Sequence, residues 1–356
     1  MRAGNQYSEC GMVRCLLTIC FLAGLSAGCA PWHTPPGPAL HAPSWNDERI
    51  TTPDGAHLPL RRWGPKGRPR GVVLALHGFN DYSKAFEAPA KSFAAAGITT
   101  YAYDQRGFGL APNKGSWSSV DGMADDLRVA ARLVRGAHPD VPFYILGESM
   151  GAAVVLAAMD QDQPPPAADG YVLSAPAIWA RRVMPIWQRV GLEFFAHTIP
   201  LFQVTGHGFN RTPSDNRDML RKLGRDPLVI KSTRIDTIYG LVNLMDAALD
   251  AVPLLPGNTL ILIGQKEDIL PNEAMSAFLA ALPEESCVKV ARYHSGYHML
   301  LRDLKAEVVL DDLAAWMVNP KRALPSGADR VKVVSQEPGA PTSLALDCFS
   351  STAARP

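Results

Sequence analysis

A set of short apolar runs, separated by segments with helical periodicity, constrains the fold of this chain most. These runs are nearly continuous, and they comprise Gly71 to Leu76, Ile98 to Tyr103, Phe143 to Leu146, Gly170 to Leu173 and Thr259 to Ile263. Helices are predicted between most of them, over 82–96, 120–136 and 150–160. A strand that is apolar throughout must be covered on both faces, and its alternation with helices is typical of a parallel sheet. The sequence therefore predicts an α/β fold, with a mostly parallel sheet and helices on both faces.

The alternation lapses between Pro176 and Pro253, where the chain is helical and rich in large apolar side chains. An insertion of about 75 residues is too long for a plain connection between strands. We therefore predict a helical cap at about 177–253, over the carboxyl edge of the sheet. Its apolar side chains could line an acyl tunnel, face a membrane or pack against the sheet; they are Trp179, Trp187, Phe194, Phe195, Ile199, Leu201 and Phe202.

The N-terminus has the pattern of a targeting segment. Arg2 and Arg14 precede an apolar run, Cys15 to Ala27. The run is too short to span a bilayer comfortably and suits a signal-peptide core. The run ends in Ser26-Ala27-Gly28-Cys29, which resembles a bacterial lipobox and implies cleavage before Cys29 and acylation of its thiol. A plain secretory signal or a single anchor helix are the alternatives. We expect a chain in the cell envelope, anchored to a membrane (the outer one, if present) or secreted to the periplasm.

The remaining boundaries follow from composition. After a signal peptide over 1–28, residues 29–48 are predicted as a proline-rich linker and 49–318 as the folded domain. The domain begins with an edge hairpin that turns at Asp54-Gly55. Residues 319–356 lack periodicity and are predicted as a flexible tail. Of the cysteines left after cleavage, Cys287 and Cys348 could form a disulfide or remain two free thiols.

Charge and motifs exclude several classes of function. The chain has 35 basic and 34 acidic residues, so nothing in its charge indicates a nucleic-acid partner. It also has no phosphate-binding loop, no dinucleotide-binding glycine pattern and no paired metal-ligand spacing. We therefore predict no cofactor and no metal. The sequence makes no prediction about the oligomeric state.

A candidate nucleophile lies in Gly147-Glu148-Ser149-Met150-Gly151, between a predicted strand and a helix of small residues. A G-x-S-x-G pattern at such a turn holds the serine in a strained backbone and lifts its hydroxyl clear of the sheet. The glycines are needed because side chains there would collide with the neighbouring strand and helix. The pattern alone is weak, but its position between strand and helix makes Ser149 the predicted nucleophile.

A serine nucleophile needs a base and an acid that orients the base, and loops after later strands offer a pair of each. The acid candidates are Glu267 and Asp268, and the base candidates are His294 and His298. We predict Asp268, because it directly precedes the next helix and can turn inward while Glu267 faces solvent. We predict His298, because it follows a tight loop, whereas His294 directly follows the strand.

The oxyanion hole is predicted from two backbone amides. One belongs to Met150, the residue after the nucleophile, and the other to Phe79, in the "HGFND" loop after the first parallel strand. Because the donors are backbone groups, the side chains of both residues influence only the shape of the site.

Five motifs in order, "HGFND", "YDQRGFG", "GESMG", "GQKEDILP" and "SGYHML", resemble the monoacylglycerol lipase and lysophospholipase branch of the α/β-hydrolase superfamily, a serine aminopeptidase-like group. The resemblance implies an eight-stranded, mostly parallel sheet, a helical cap after the sixth strand and cofactor-free ester hydrolysis. It assigns the same residues: Ser149, Asp268 and His298 as triad, with Phe79 and Met150 as amide donors.

The expected function is therefore a serine hydrolase that cleaves carboxylic esters of lipidic substrates, such as a monoacylglycerol or a lysophospholipid, at a membrane reached through a lipid anchor. A small-ester esterase, a thioesterase or an aminopeptidase could use the same triad. A non-catalytic envelope lipoprotein is a further alternative, although a scaffold has no need of a complete triad.

Overall fold

The computed structural model describes residues 30–159, 162–206, 211–283 and 287–330. The predicted signal peptide, Cys29 and Cys348 lie outside the described residues, so the lipid attachment and the disulfide stay predictions. Among the residues described, no helix is both long enough and apolar enough to cross a membrane.

Eleven strands in two sheets occur in the described part of the chain. They are β1 Ser44–Trp45, β2 Arg49–Thr51, β3 His57–Trp63, β4 Gly71–Leu76, β5 Ile98–Tyr103, β6 Phe143–Glu148, β7 Gly170–Ser174, β8 Gln203–Thr205, β9 Ser232–Arg234, β10 Thr259–Gly264 and β11 Lys289–Tyr293. Nine form the main sheet, in the order β1-β2-β3-β5-β4-β6-β7-β10-β11, and β8 pairs with β9 in a small sheet of its own.

The main sheet is parallel from β5 to β11 and antiparallel at its β1–β3 edge. All five apolar runs of the sequence form strands that are buried along their whole length. The predicted hairpin joins β2 to β3, and Gly55 at its turn has a φ of 82°. The predicted fold class is therefore confirmed. The sheet has one strand more than the expected eight, because the two-residue strand β1 extends its edge.

Eight α-helices lie in the described residues. They are α1 Glu87–Ala95, α2 Val120–Ala137, α3 Met150–Ala157, α4 Ile186–Thr198, α5 Arg217–Arg225, α6 Ile235–Ala251, α7 Asn272–Ala280 and α8 Ala306–Val318. One face of the sheet is covered by α2, α3, α6 and α7, and the other by α1 and α8, so each face has its own apolar core. Helices on both faces were predicted.

The insertion between β7 and β10 divides into two parts. Helix α6, which lies at the end of the insertion, packs into the core through Val242, Leu244 and Leu249. It therefore belongs to the helical layer that covers the sheet. The part before α6 is far more exposed, and only Ala196 of α4 is buried. Of the large apolar side chains predicted there, Trp179 packs against the core. The other six are exposed by 44% or more, so they are not core residues.

Residues of the predicted proline-rich linker and of the predicted flexible tail contact the domain. In the linker, Thr34 N donates to Trp117 O (2.8 Å). Beyond α8, Leu324 is buried and Lys289 Nζ forms an ion pair with Asp329 (3.2 Å), so the domain extends at least to residue 330.

Candidate active site

Ser149 lies at the sharp turn between β6 and α3. Its backbone has φ 54° and ψ −114°, a conformation that is costly for a residue with a side chain. The turn is held from both sides, because Ser149 N donates to Ser174 O (2.9 Å) and Ala177 N donates to Ser149 O (3.1 Å). The structure therefore places Ser149 in the strained turn that the sequence predicts.

The two glycines of the motif are required by close packing. A Cβ on Gly147 would lie 2.4 Å from the amide nitrogen of Ala152, and a Cβ on Gly151 would lie 2.1 Å from the carbonyl oxygen of Leu76. Both distances are shorter than any contact a Cβ makes in proteins. The backbone of α3 thus packs directly on β4, as the sequence analysis expected.

His298 is the basic partner of Ser149. Its Nε2 lies 2.9 Å from Ser149 Oγ, and the residue is 6% exposed. It lies in the loop between β11 and α8, as predicted. His294, the alternative, is exposed and its Nδ1 contacts Gln265 Oε1 at 2.8 Å instead.

The acid in contact with the histidine is Glu267, and the prediction of Asp268 is wrong. Glu267 Oε2 lies 2.7 Å from His298 Nδ1, while Oε1 accepts hydrogen bonds from the amides of Ile269 (2.7 Å) and Leu270 (3.1 Å). Burial raises the pKa of Glu267, but the hydrogen bond and charge of His298, together with the hydrogen bonds from the amides of Ile269 and Leu270, outweigh this effect, so the net pKa lies below its ordinary value. Glu267 is therefore an ionised partner of the histidine at neutral pH.

Asp268 faces the insertion instead. Its carboxylate accepts hydrogen bonds from Thr212 N (2.9 Å) and Arg211 Nη1 (3.0 Å), which lower its pKa. The choice between the two acids is decided by the turn after β10. Glu267 N donates to Gly264 O (3.2 Å), and this turn directs Glu267 towards His298.

The loops that carry the acid and the base touch through their backbones. A Cβ on Gly264 would lie 2.4 Å from Gly296 O, so only glycine allows this approach. Lys266 N also donates to Gly296 O (2.9 Å). The sequence offers both Glu267 and Asp268 in this loop, and Gly264 at the end of the strand is the signal that the loop turns tightly there.

The predicted oxyanion donors belong to two segments that meet at Ser149. Gly78, the residue before Phe79, comes so close that a Cβ on it would lie 3.4 Å from Ser149 Cβ. Met150 is the first residue of α3, where an amide has no acceptor within the helix. The structure therefore places Gly78 and Met150 next to the serine, and the role of the Phe79 and Met150 amides as donors is a proposal.

His77 fixes the loop that carries Phe79. Its Nε2 accepts a hydrogen bond from Gln105 N (3.0 Å), and its Nδ1 lies 2.9 Å from Gly78 O. Burial lowers the pKa of His77, so the ring is neutral. A neutral ring with Nε2 as acceptor carries its proton on Nδ1, which donates to Gly78 O and holds the loop.

The insertion contacts both loops of the acid–base pair. Besides the Asp268 contacts, Ser214 Oγ donates to Asp303 Oδ1 (2.6 Å) and Met299 N donates to Pro213 O (2.9 Å). The segment 211–216 therefore lies against the loops that follow β10 and β11, at the carboxyl edge of the sheet.

No group of three or more His, Cys, Asp or Glu side chains in the described ranges is arranged to hold a metal ion. A concavity of about 490 Å³ beside α4 is lined by Arg181, Ile186 and Phe194 among others. Its lining includes none of Ser149, Glu267 and His298, so it does not reach the serine.

Comparison with known proteins identifies the family of this chain. The sequence profile of the family described as "Serine aminopeptidase, S33" matches residues 67–305, which contain all three residues in contact and both predicted amide donors.

Two relatives and one solved structure extend the comparison. The chain is 27% identical over 270 residues to a monoacylglycerol lipase of Mycolicibacterium smegmatis, covering 74% of this chain and 94% of the relative. It is 23% identical over 278 residues to the rat (Rattus norvegicus) monoglyceride lipase, covering 75% and 89%. The crystal structure of a monoglyceride lipase variant of Saccharomyces cerevisiae superimposes with a TM-score of 0.63 at 20% identity, over 80% of this chain and 97% of that one.

Proposed function

The chain belongs to the serine aminopeptidase S33 family, and we propose that it is a serine hydrolase that cleaves carboxylic esters of lipidic substrates, a monoacylglycerol or a lysophospholipid. The observation that carries the proposal is the chain of contacts from Glu267 through His298 to Ser149, at 2.7 and 2.9 Å. A hydroxyl, an imidazole and a carboxylate in this order are what nucleophilic ester hydrolysis requires.

The mechanism proceeds through an acyl-enzyme. His298 takes the proton of Ser149 Oγ as the oxygen attacks the ester carbonyl carbon, and Glu267 stabilises the imidazolium that forms. The amides of Phe79 and Met150 bind the oxyanion. His298 then donates the proton to the leaving alkoxide, which departs as an alcohol. A water molecule, deprotonated by His298, then attacks the acyl carbon. The bond from that carbon to Ser149 Oγ breaks, the fatty acid leaves, and His298 returns the proton to Oγ.

Two observations favour a lipidic ester. The relatives from Mycolicibacterium smegmatis and rat are named as monoacylglycerol and monoglyceride lipases, and their similarity extends over most of both chains. In addition, the part of the insertion before α6 exposes Ile186, Val190 and Phe194 to solvent, and all three line one concavity. Isolated apolar side chains on a surface are ordinary, but a contiguous group indicates an interaction with an apolar partner.

A membrane is the partner that we propose for this surface, reached through the lipid anchor predicted at Cys29. In the described part of the chain, Thr34 N donates to Trp117 O (2.8 Å), so the segment that follows the predicted anchor contacts the loop of Trp117. The same loop meets the base of the insertion, because Arg234 Nη1 donates to Ser116 Oγ (3.1 Å). We propose that the anchor and the exposed apolar side chains act at the same membrane.

The test of the proposed function is the hydrolysis of p-nitrophenyl esters from acetate to palmitate by the protein, beside the Ser149→Ala variant and an aminoacyl p-nitroanilide. We expect turnover that peaks at medium or long chains and is lost in the variant. A peak at acetate would indicate a small-ester esterase, and turnover of the anilide alone would indicate an aminopeptidase.

A further inference from the structure

A buried guanidinium lies close to the catalytic loops without belonging to the triad. Arg302, four residues after His298, donates from Nη1 to Asp81 Oδ2 (2.7 Å) and from Nη2 to Glu148 Oε1 (3.1 Å). Its side chain is 7% exposed, and those of Asp81 and Glu148 are 6% and 2% exposed. These three residues, which we call the arginine bridge, are shielded from water and its screening.

Each residue of the arginine bridge belongs to a different part of the catalytic machinery. Asp81 lies two residues after Phe79, in the loop of the proposed oxyanion donor, and its amide closes a turn on Gly78 O (3.3 Å). Glu148 directly precedes the nucleophile, Ser149. Arg302 is in the segment that follows the base. One side chain therefore connects the three segments that must meet around the ester carbonyl.

The charges of the arginine bridge do not balance, since two carboxylates face one guanidinium. Burial lowers the pKa of Arg302, but the charges of Glu148 and Asp81, with their hydrogen bonds, raise it above its ordinary value, so the side chain stays ionised. Buried ion pairs contribute little stability relative to apolar side chains of the same size. A buried bridge of this kind is better suited to fixing a geometry than to adding stability.

Lysine could not replace the arginine in this role. The two carboxylates are bound by different nitrogens of one rigid, planar group, which fixes both their separation and their orientation. An ammonium is a single point charge on a flexible stem, so it keeps the charge but not the spacing.

We propose that Arg302 is a positioning residue, which holds the oxyanion loop, the nucleophile turn and the histidine loop at the spacing that the transition state requires. The inference rests on the proposed function, since it concerns the rate of the same reaction. A displacement of about 1 Å in such an arrangement costs on the order of a hundredfold in rate.

The test compares Arg302→Lys with Arg128→Lys in the full-length chain purified in detergent. Arg128 is a matched control, because it is also buried and bonded to a carboxylate (Asp125) and a carbonyl (Ala158 O), but it contacts none of the catalytic loops. We measure kcat and KM for a p-nitrophenyl ester, the rate at which a fluorophosphonate probe labels Ser149, and the Tm.

For Arg302→Lys we expect kcat and the labelling rate to fall about a hundredfold while KM changes little. For Arg128→Lys we expect both rates to stay near those of the parent at a similar loss of Tm. If Arg302→Lys fails to fold, Glu148→Gln is the second variant. It keeps an acceptor for Nη2 but removes the charge, so the hydrogen bond to Arg302 weakens and the same rates are expected to fall about tenfold.

A variant with a lower Tm but an unchanged kcat and labelling rate would overturn the inference, because Arg302 would then serve stability alone. This outcome leaves the proposed function intact. Failure of the proposed function looks different: the parent protein itself would show neither turnover nor labelling, which would overturn both.

Discussion

The replacement of Glu267 by glutamine tests the geometry of the acid most sharply. The carboxylate accepts a hydrogen bond from His298 Nδ1 (2.7 Å), which leaves Nε2 free to accept a hydrogen bond, and then the proton, from Ser149 Oγ (2.9 Å). An amide in its place can donate to Nδ1, which moves the ring proton to Nε2. Nε2 then cannot accept the proton of Ser149 Oγ. It also removes the charge that stabilises the imidazolium. In triads of this kind such a change lowers kcat by roughly ten-thousandfold, about 5.4 kcal/mol of transition-state stabilisation.

Asp268→Asn is the matched control, because it makes the same change of charge one residue away. Asp268 contacts Arg211 and Thr212 rather than the histidine, so kcat is expected to stay within a few-fold of the parent value. The assay is p-nitrophenyl ester turnover, with kcat and KM determined separately for both variants. A large loss of kcat in Asp268→Asn with a small loss in Glu267→Gln would refute the assignment and restore the original prediction.

The same residue predicts a dependence of stability on pH. The pKa of Glu267 is lower in the folded protein than its ordinary value of 4.5, so its ionised form favours folding. This contribution is complete above that value and is lost as the pH falls through the lower, folded-state pKa. Urea unfolding of parent and Glu267→Gln between pH 3 and 7 checks this. The stability difference that favours the parent should shrink as the pH falls, and a difference that grows towards acid would contradict the reasoning.

Two further predictions concern packing and the surface. Gly151→Ala places a Cβ against Leu76 O and is expected to cost about 3 kcal/mol of stability. Gly136→Ala, whose Cβ would meet nothing within 4 Å, should leave the Tm unchanged or raise it, and equal effects of the two changes would contradict the packing. The double variant Trp187→Ser/Phe194→Ser should lose most of its flotation with phosphatidylcholine–phosphatidylglycerol vesicles, whereas Val318→Ser, an equally exposed apolar side chain at the end of α8, should not. If all these variants float alike, the membrane does not bind this surface, and a concentration-dependent dimer lost in the double variant would assign it to a second copy of the chain.

The layout of the sheet could be predicted from the sequence because burial on both faces leaves a strong signal. A parallel strand such as β4, Gly71–Leu76, has no solvent face, so its sequence is apolar without interruption. Ser149 was predictable for a related reason, since the turn demands glycines at fixed distances from it. Both features are local, and a single stretch of sequence contains them.

The features that the sequence did not reveal depend on contacts between distant segments. Glu267 and Asp268 are neighbours of the same charge, and the turn after β10, packed against the loop of Gly296, places Glu267 rather than Asp268 against His298. The partners of Arg302 lie 154 and 221 residues away along the chain, so no spacing indicates them.

The two parts of the insertion were also hard to distinguish from sequence, because an apolar helix has the same composition whether its apolar side chains are buried or exposed. Helix α6 packs on the sheet, and α4 does not. The sequence predicts both as helices, but it does not show that α6 is buried against the sheet while α4 is mostly exposed.

The most direct test of the central claim is the release of fatty acid from monooleoylglycerol and from lysophosphatidylcholine by the full-length chain, beside Ser149→Ala. We predict release from at least one of them by the parent protein and none above background by the variant, with a fluorophosphonate probe attached to Ser149 in the parent. Release that persists in Ser149→Ala, or a folded parent that neither releases fatty acid nor reacts with the probe, would contradict the assignment of this chain as a lipid ester hydrolase.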